Sequence, residues 1–167
     1  MTAPTTADAA SAATGRVCMF NAPVEVPKAG HVAWAVQVRG DRDHWVWGSF
    51  NVKEAWIRGG TWSGVRASFK PVWNRKNHRW ENYTRYRCVT TRDGNARNAQ
   101  VAYQAVRKRG YDLLSNNCLH MSMAVFKGYS SALRRDGRLP SATGKRPNAY
   151  FSDTLSGAHW ERIHRMP

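Results

Sequence analysis

Tyr111-Asp-Leu-Leu-Ser-Asn-Asn-Cys118-Leu-His-Met-Ser122 is the stretch on which the reading of this chain turns. It predicts a turn feeding a helix, with a cysteine on the first helical turn. Ser115, Asn116 and Asn117 are each able to cap a helix start, because a short side-chain oxygen can accept an orphan backbone N–H. Leu119, Met123 and Phe126 then fall at i, i+4 and i+7, an apolar helical stripe. Gly128 follows as a C-terminal stop. A thiol at a helix N-terminus gains from the dipole and the free N–H groups as thiolate. The same groups can hold a developing oxyanion. The competing reading is a buried, inert cysteine at a helix start.

Working outward, residues 95–109 predict a helix with Ala99, Ala102, Tyr103 and Val106 on one face and a basic end, stopped by Gly110. Ser130 to Arg135 extends the helical run. Upstream, His31-Val-Ala-Trp-Ala-Val-Gln-Val38 alternates as a strand. Val32, Trp34, Val36 and Val38 form a bulky face. His31, Ala33, Ala35 and Gln37 form a small one, onto which a helix is expected to pack closely. Gly40 to Asp43 makes a hairpin loop, and His44 to Phe50 returns as an antiparallel strand. Arg16 to Phe20 and Tyr83 to Thr91 are further strands. Glu54-Ala-Trp-Ile is expected to form one helical turn, broken by Gly59-Gly60. The fold class is α+β: a small antiparallel sheet packed against a Cys-bearing helix. Residues 1–15 are expected to be a flexible tail and 16–167 a single domain, with a basic, Trp-rich insertion at about 51–82.

Composition bounds the function. Basic residues number 26 against 11 acidic ones, a net charge of +15. Such a field favours an acidic substrate, an anionic surface or nucleic acid. No apolar run is long enough for a membrane span, and the N-terminus lacks the basic and Leu-rich regions of a secretory signal. Three cysteines, Cys18, Cys88 and Cys118, with no CxxC pair, suggest neither a disulfide framework nor a zinc site, hence a reduced, cytoplasmic setting. No cofactor or metal is expected.

A nucleophilic thiol needs a base within reach. His120, two positions from Cys118, lies about 200° around the helix and points away. His44, His78, His159 and His164 sit in polar or irregular segments and read as surface residues. His31 starts a strand directly after Gly30, so a helix packed on that strand can bring its N-terminus close.

With these residues in hand, a resemblance emerges. Gly30-His31-Val-Ala-Trp-Ala-Val, His44-Trp-Val-Trp-Gly-Ser49 and Tyr111-x-Leu-Leu-x-Asn-Asn-Cys118 resemble the circularly permuted papain-like cysteine enzymes, among them the PPPDE isopeptidases, the lecithin:retinol acyltransferase-like proteins and the permuted NlpC-type hydrolases. The resemblance covers roughly residues 30–50 and 95–128. It implies a permuted papain-like fold, Cys118 as nucleophile, His31 as general base and a thioester intermediate on a peptide, isopeptide or other acyl substrate. Acyltransferase-like members carry a second histidine on the following strand; this chain has Trp47-Gly48-Ser49 there, leaving a Cys/His dyad supported by Ser49, Gln37 or Asn117. Pro147-Asn-Ala-Tyr-Phe151 resembles the substrate-side ending of some NlpC-type members. Two other readings stand beside this one: a basic, aromatic-rich nucleic-acid-binding module spanning residues 53–92, and an inactive interaction protein on the same fold.

Overall fold

A computed structural model describes residues 15–167. The tail expected over residues 1–15 lies outside them except for Gly15, which begins β1 (Gly15–Ala22). The other strands are β2 (His31–Gln37), β3 (Trp45–Phe50), β4 (Ala55–Gly60), β5 (Val72–Asn74), β6 (Arg79–Glu81), β7 (Arg85–Thr91) and β8 (His164–Arg165). The helices are α1 (Trp62–Ser68), α2 (Ala96–Lys108), α3 (Cys118–Tyr129), α4 (Ser131–Arg135) and a single turn, α5 (Pro147–Ala149), which runs on through π-helical and 3₁₀ turns to Gly157. Six strands form one antiparallel sheet in the order β4-β3-β2-β1-β7-β8; β5 and β6 make a separate hairpin. The fold is thus α+β, and a Cys-bearing helix does pack on the sheet.

The packing face differs from the expectation. Val32, Trp34 and Val36 share a core with Tyr103 of α2 and with Cys118, Leu119, Met123 and Phe126 of α3. The helices therefore cover the bulky face of β2, because that face offers the larger apolar area to remove from water. The small face, Ala33 and Ala35, leaves room for Phe20, Trp45, Trp47 and Phe69, and α1 covers it. Gly48 follows the same logic. It pairs with Trp34 across β2–β3, and a Cβ there would stand 2.8 Å from the Trp34 ring.

Residues 54–57 are not helical. Asn51 N–H bonds Glu54 O and turns the chain, so Ala55 to Gly60 pairs antiparallel with β3 from Phe50 to Trp45. The local Glu-Ala-Trp-Ile pattern yields to the hairpin, since strand pairing lets Ile57 and Trp56 pack on the two cores. Gly128 does not end α3 either. A Cβ there would meet Ala102 Cβ at 2.7 Å, so this glycine permits close approach of α2 and α3.

The cysteine reading also changes. Cys18 and Cys88 face one another directly across β1–β7 and form a disulfide. Their sequence separation of 70 hides the pairing, which only strand register creates. Cys118 is the free cysteine. No helix among the described residues is long and apolar enough to cross a membrane.

Candidate functional site

Among the three candidate caps preceding Cys118, the structure uses Asn117. Its Oδ1 accepts the N–H groups of Leu119 at 2.9 Å and His120 at 3.2 Å. His120 turns its Nδ1 back to 3.4 Å from the Asn117 N–H and closes the capping box. His120 is thereby spent on the helix start. Asn117 holds α3 rather than offering its side-chain oxygen or amide to a substrate, for its Nδ2 donates to Leu113 O at 3.1 Å. Asp112 fixes the preceding loop by accepting from Leu114 N–H and Ser115 N–H at 3.0 and 2.8 Å.

Cys118 is 2% exposed. The backbone N–H groups of Val32, Leu119 and Cys118 and the Tyr111 hydroxyl lie near enough to the sulfur to favour its thiolate. Val32 directly follows His31 in β2 and shares a core with Cys118. His31 is held firmly. Its Nε2 lies 3.0 Å from Ser49 Oγ, its carbonyl accepts from Asn21 Nδ2 at 3.2 Å, and its ring lies 5.9 Å from that of Tyr83. Ser49, 1% exposed, also contacts Tyr83 OH at 3.1 Å and has Asn51 Oδ1 at 3.5 Å as an acceptor.

The loop entering β2 is pinned by the segment Pro147 to Phe151. Gly30 adopts φ +75, and the Asn148 side chain fills the space a Cβ would need. Asn148 N–H donates to Ala29 O, its Oδ1 accepts from Asn21 Nδ2, and its Nδ2 donates to Pro23 O. Gly30 is thus required by its left-handed conformation and by Asn148 together.

Gln37 does not join this group. It ends β2, about 20 Å from His31 at the usual strand rise, and its Nε2 donates to Arg42 O. Tyr111 and Tyr83 enter the site without having been singled out as site residues. Tyr111 was legible as the first residue of the cysteine motif; Tyr83 carried no signal beyond its place at the start of a strand.

Electrostatics change the expected ionisation. Burial raises the Cys118 thiol above its ordinary value, outweighing the N–H groups that favour thiolate. Burial also lowers His31 to about 4. At neutral pH the pair is therefore thiol and neutral imidazole. Iodoacetamide labelling of Cys118 should accordingly accelerate with pH through and beyond the ordinary thiol range. A rate that plateaus below pH 7 would instead reveal a preformed thiolate.

The His31 shift also carries a stability consequence. An unfolded histidine titrates near 6.5, so between pH 6.5 and about 4 the unfolded chain binds the extra proton. Stability should be fully present above that window and fall as pH drops through it, by roughly 3 kcal/mol. Urea unfolding at pH 7, 5.5 and 4 measures this, and His31→Gln should flatten that part of the profile. An unchanged profile in His31→Gln would assign the acid sensitivity elsewhere.

A cleft of about 430 Å³ adjoins the group, bordered by Tyr111 and Asn51 and carrying Lys53, Glu54 and Arg107. Comparison with family models, curated proteins and solved structures gives no match.

Proposed function

We propose that this chain is a cysteine-dependent hydrolase or acyl transferase acting on an amide or related acyl bond through Cys118 and His31, on a permuted papain-like fold. The observation that carries this reading is the free thiol of Cys118 at the Asn117-capped start of α3, in the same core as Val32, the residue that follows His31.

The proton bookkeeping is consistent. Ser49 can donate to Asn51 and accept from His31 Nε2–H and from Tyr83 O–H. We assign the Nε2–H tautomer on that network, which leaves the Nδ1 lone pair as the base. Neutral imidazole persists down to about pH 4. Nδ1 takes the thiol proton as Sγ attacks the acyl carbon. The Cys118 N–H and the Tyr111 hydroxyl, both near the sulfur, turn to the oxyanion. His31 then protonates the leaving amine or alcohol and releases it. Water, or an acceptor amine, attacks the thioester with His31 again taking the proton.

The cleft beside Tyr111 admits the acyl partner. Lys53 and Arg107 against the single Glu54 favour an acidic one. Leu113 and Leu114, 65% and 90% exposed just past Tyr111, offer apolar contact to a peptide or acyl chain. The Cys18–Cys88 disulfide removes the basis for a cytoplasmic setting and favours an oxidising one. Turnover of a p-nitrophenyl ester and of amide analogues by the wild type and by Cys118→Ala tests the reading; equal rates would end it.

A further inference from the structure

Trp73 and Trp80 belong to neither core. They stand directly opposite one another across β5–β6, 44% and 57% exposed, with ring centroids 5.4 Å apart at an interplanar angle of 66°. The hairpin that carries them is internally stitched. Asn74 Nδ2 and Asn77 Nδ2 each donate to Glu81 at 2.9 Å, Arg79 Nε donates to the same carboxylate at 3.1 Å, and Asn77 N–H donates to Asn74 Oδ1 at 3.0 Å. Glu81 is the one acid between Lys70 and Arg87, and these bonds consume it. What the hairpin presents outward is two indoles among Lys70, Arg75 and Lys76.

Trp80 also walls a concave surface of about 710 Å³ whose lining includes Pro71, Ile163, Arg85 and Arg165. Arg85 and Arg165 are directly opposed in the β7–β8 ladder, a like-charge pairing that costs stability unless an anion relieves it. Arg85 bonds Asn21 and Ser152 and has Asp153 nearby; Arg165 has no ion pair among the described residues.

We propose that this surface binds single-stranded nucleic acid, with bases stacked on Trp73 and Trp80 and the phosphate backbone running over Arg165 and the hairpin cations. The occupant must offer flat apolar faces and repeated negative charge together. A rigid, edge-on indole pair beside a concave floor suits splayed bases, whereas a bilayer has nothing to place in the concavity. The net charge of +15 supplies the long-range attraction. This inference is independent of the thiol chemistry.

Fluorescence anisotropy of a labelled single-stranded oligonucleotide with the full chain tests it. Trp73→Ala/Trp80→Ala should weaken binding at least about 10-fold with an unchanged melting temperature. Arg165→Glu should weaken it and reduce the salt slope by about one. Cys118→Ala should bind as the wild type. Full affinity in the tryptophan double variant, equal displacement by a base-free polyphosphate of matched charge, or tighter binding to phosphatidylserine vesicles than to the oligonucleotide would each overturn the proposal.

Discussion

Cys118→Ala is expected to lower acyl transfer from a p-nitrophenyl ester at least about 10³-fold, because without the thiol no covalent intermediate forms. The change removes one buried sulfur and leaves the Asn117 cap intact, so stability should move by only about 1 kcal/mol. His31→Gln should cost about 10² to 10⁴-fold, the usual worth of a positioned base. Ser49→Ala should cost less, since it frees Nε2 without removing the ring. A rate loss in Cys118→Ala unmatched by any in His31→Gln would assign the base elsewhere. Tyr83 and Tyr111 are poor substitutes, because burial holds both phenols well above the usual range, Tyr111 up to about 12.

Cys18→Ala/Cys88→Ala, or reduction of the wild type, should lower unfolding stability by about 2–4 kcal/mol. The cross-link closes a 70-residue loop and so restricts the unfolded chain far more than a short bridge does. Both sulfurs are fully buried in the sheet face shared with Phe20 and Phe69, so the double alanine variant also loses packing. Urea midpoints with and without reductant make the measurement. Identical midpoints, with thiol release confirmed, would show that the bridge contributes nothing to stability. The loop it closes contains His31, Ser49 and Tyr83 but not Cys118, so reduction should loosen the base's surroundings while leaving the capped start of α3 in place.

The parts of this molecule legible in sequence are those set by local pattern. Alternation marked β2, β3 and β7, and the apolar stripe with its Asn cap marked α3 and the position of Cys118. His31 emerged because it opens a strand directly after a glycine, and Ser49 through the resemblance, where acyltransferase-like relatives carry a second histidine. What stayed hidden was set by register and packing. The Cys18–Cys88 pair exists only because β1 and β7 are neighbours in a sheet where they are far apart in sequence. The small face of β2 invites close helix approach in sequence, but the larger apolar area on the Val32 and Trp34 side decides where α3 packs. Gln37 shares a face of β2 with His31, yet strand rise carries it to the far end of the strand. The ionisation of Cys118 departs from the sequence expectation for a similar reason. Helix N–H groups can be read from a cap, but the burial that outweighs them depends on the assembled core.

The most direct test is to quench the wild-type protein during turnover of p-nitrophenyl acetate and map the acyl group by mass spectrometry. The account predicts one acetyl group on Cys118 as a thioester, absent in Cys118→Ala and formed far more slowly in His31→Gln. Turnover with no acyl group on Cys118, or with the label on another residue at an equal rate in Cys118→Ala, would contradict it.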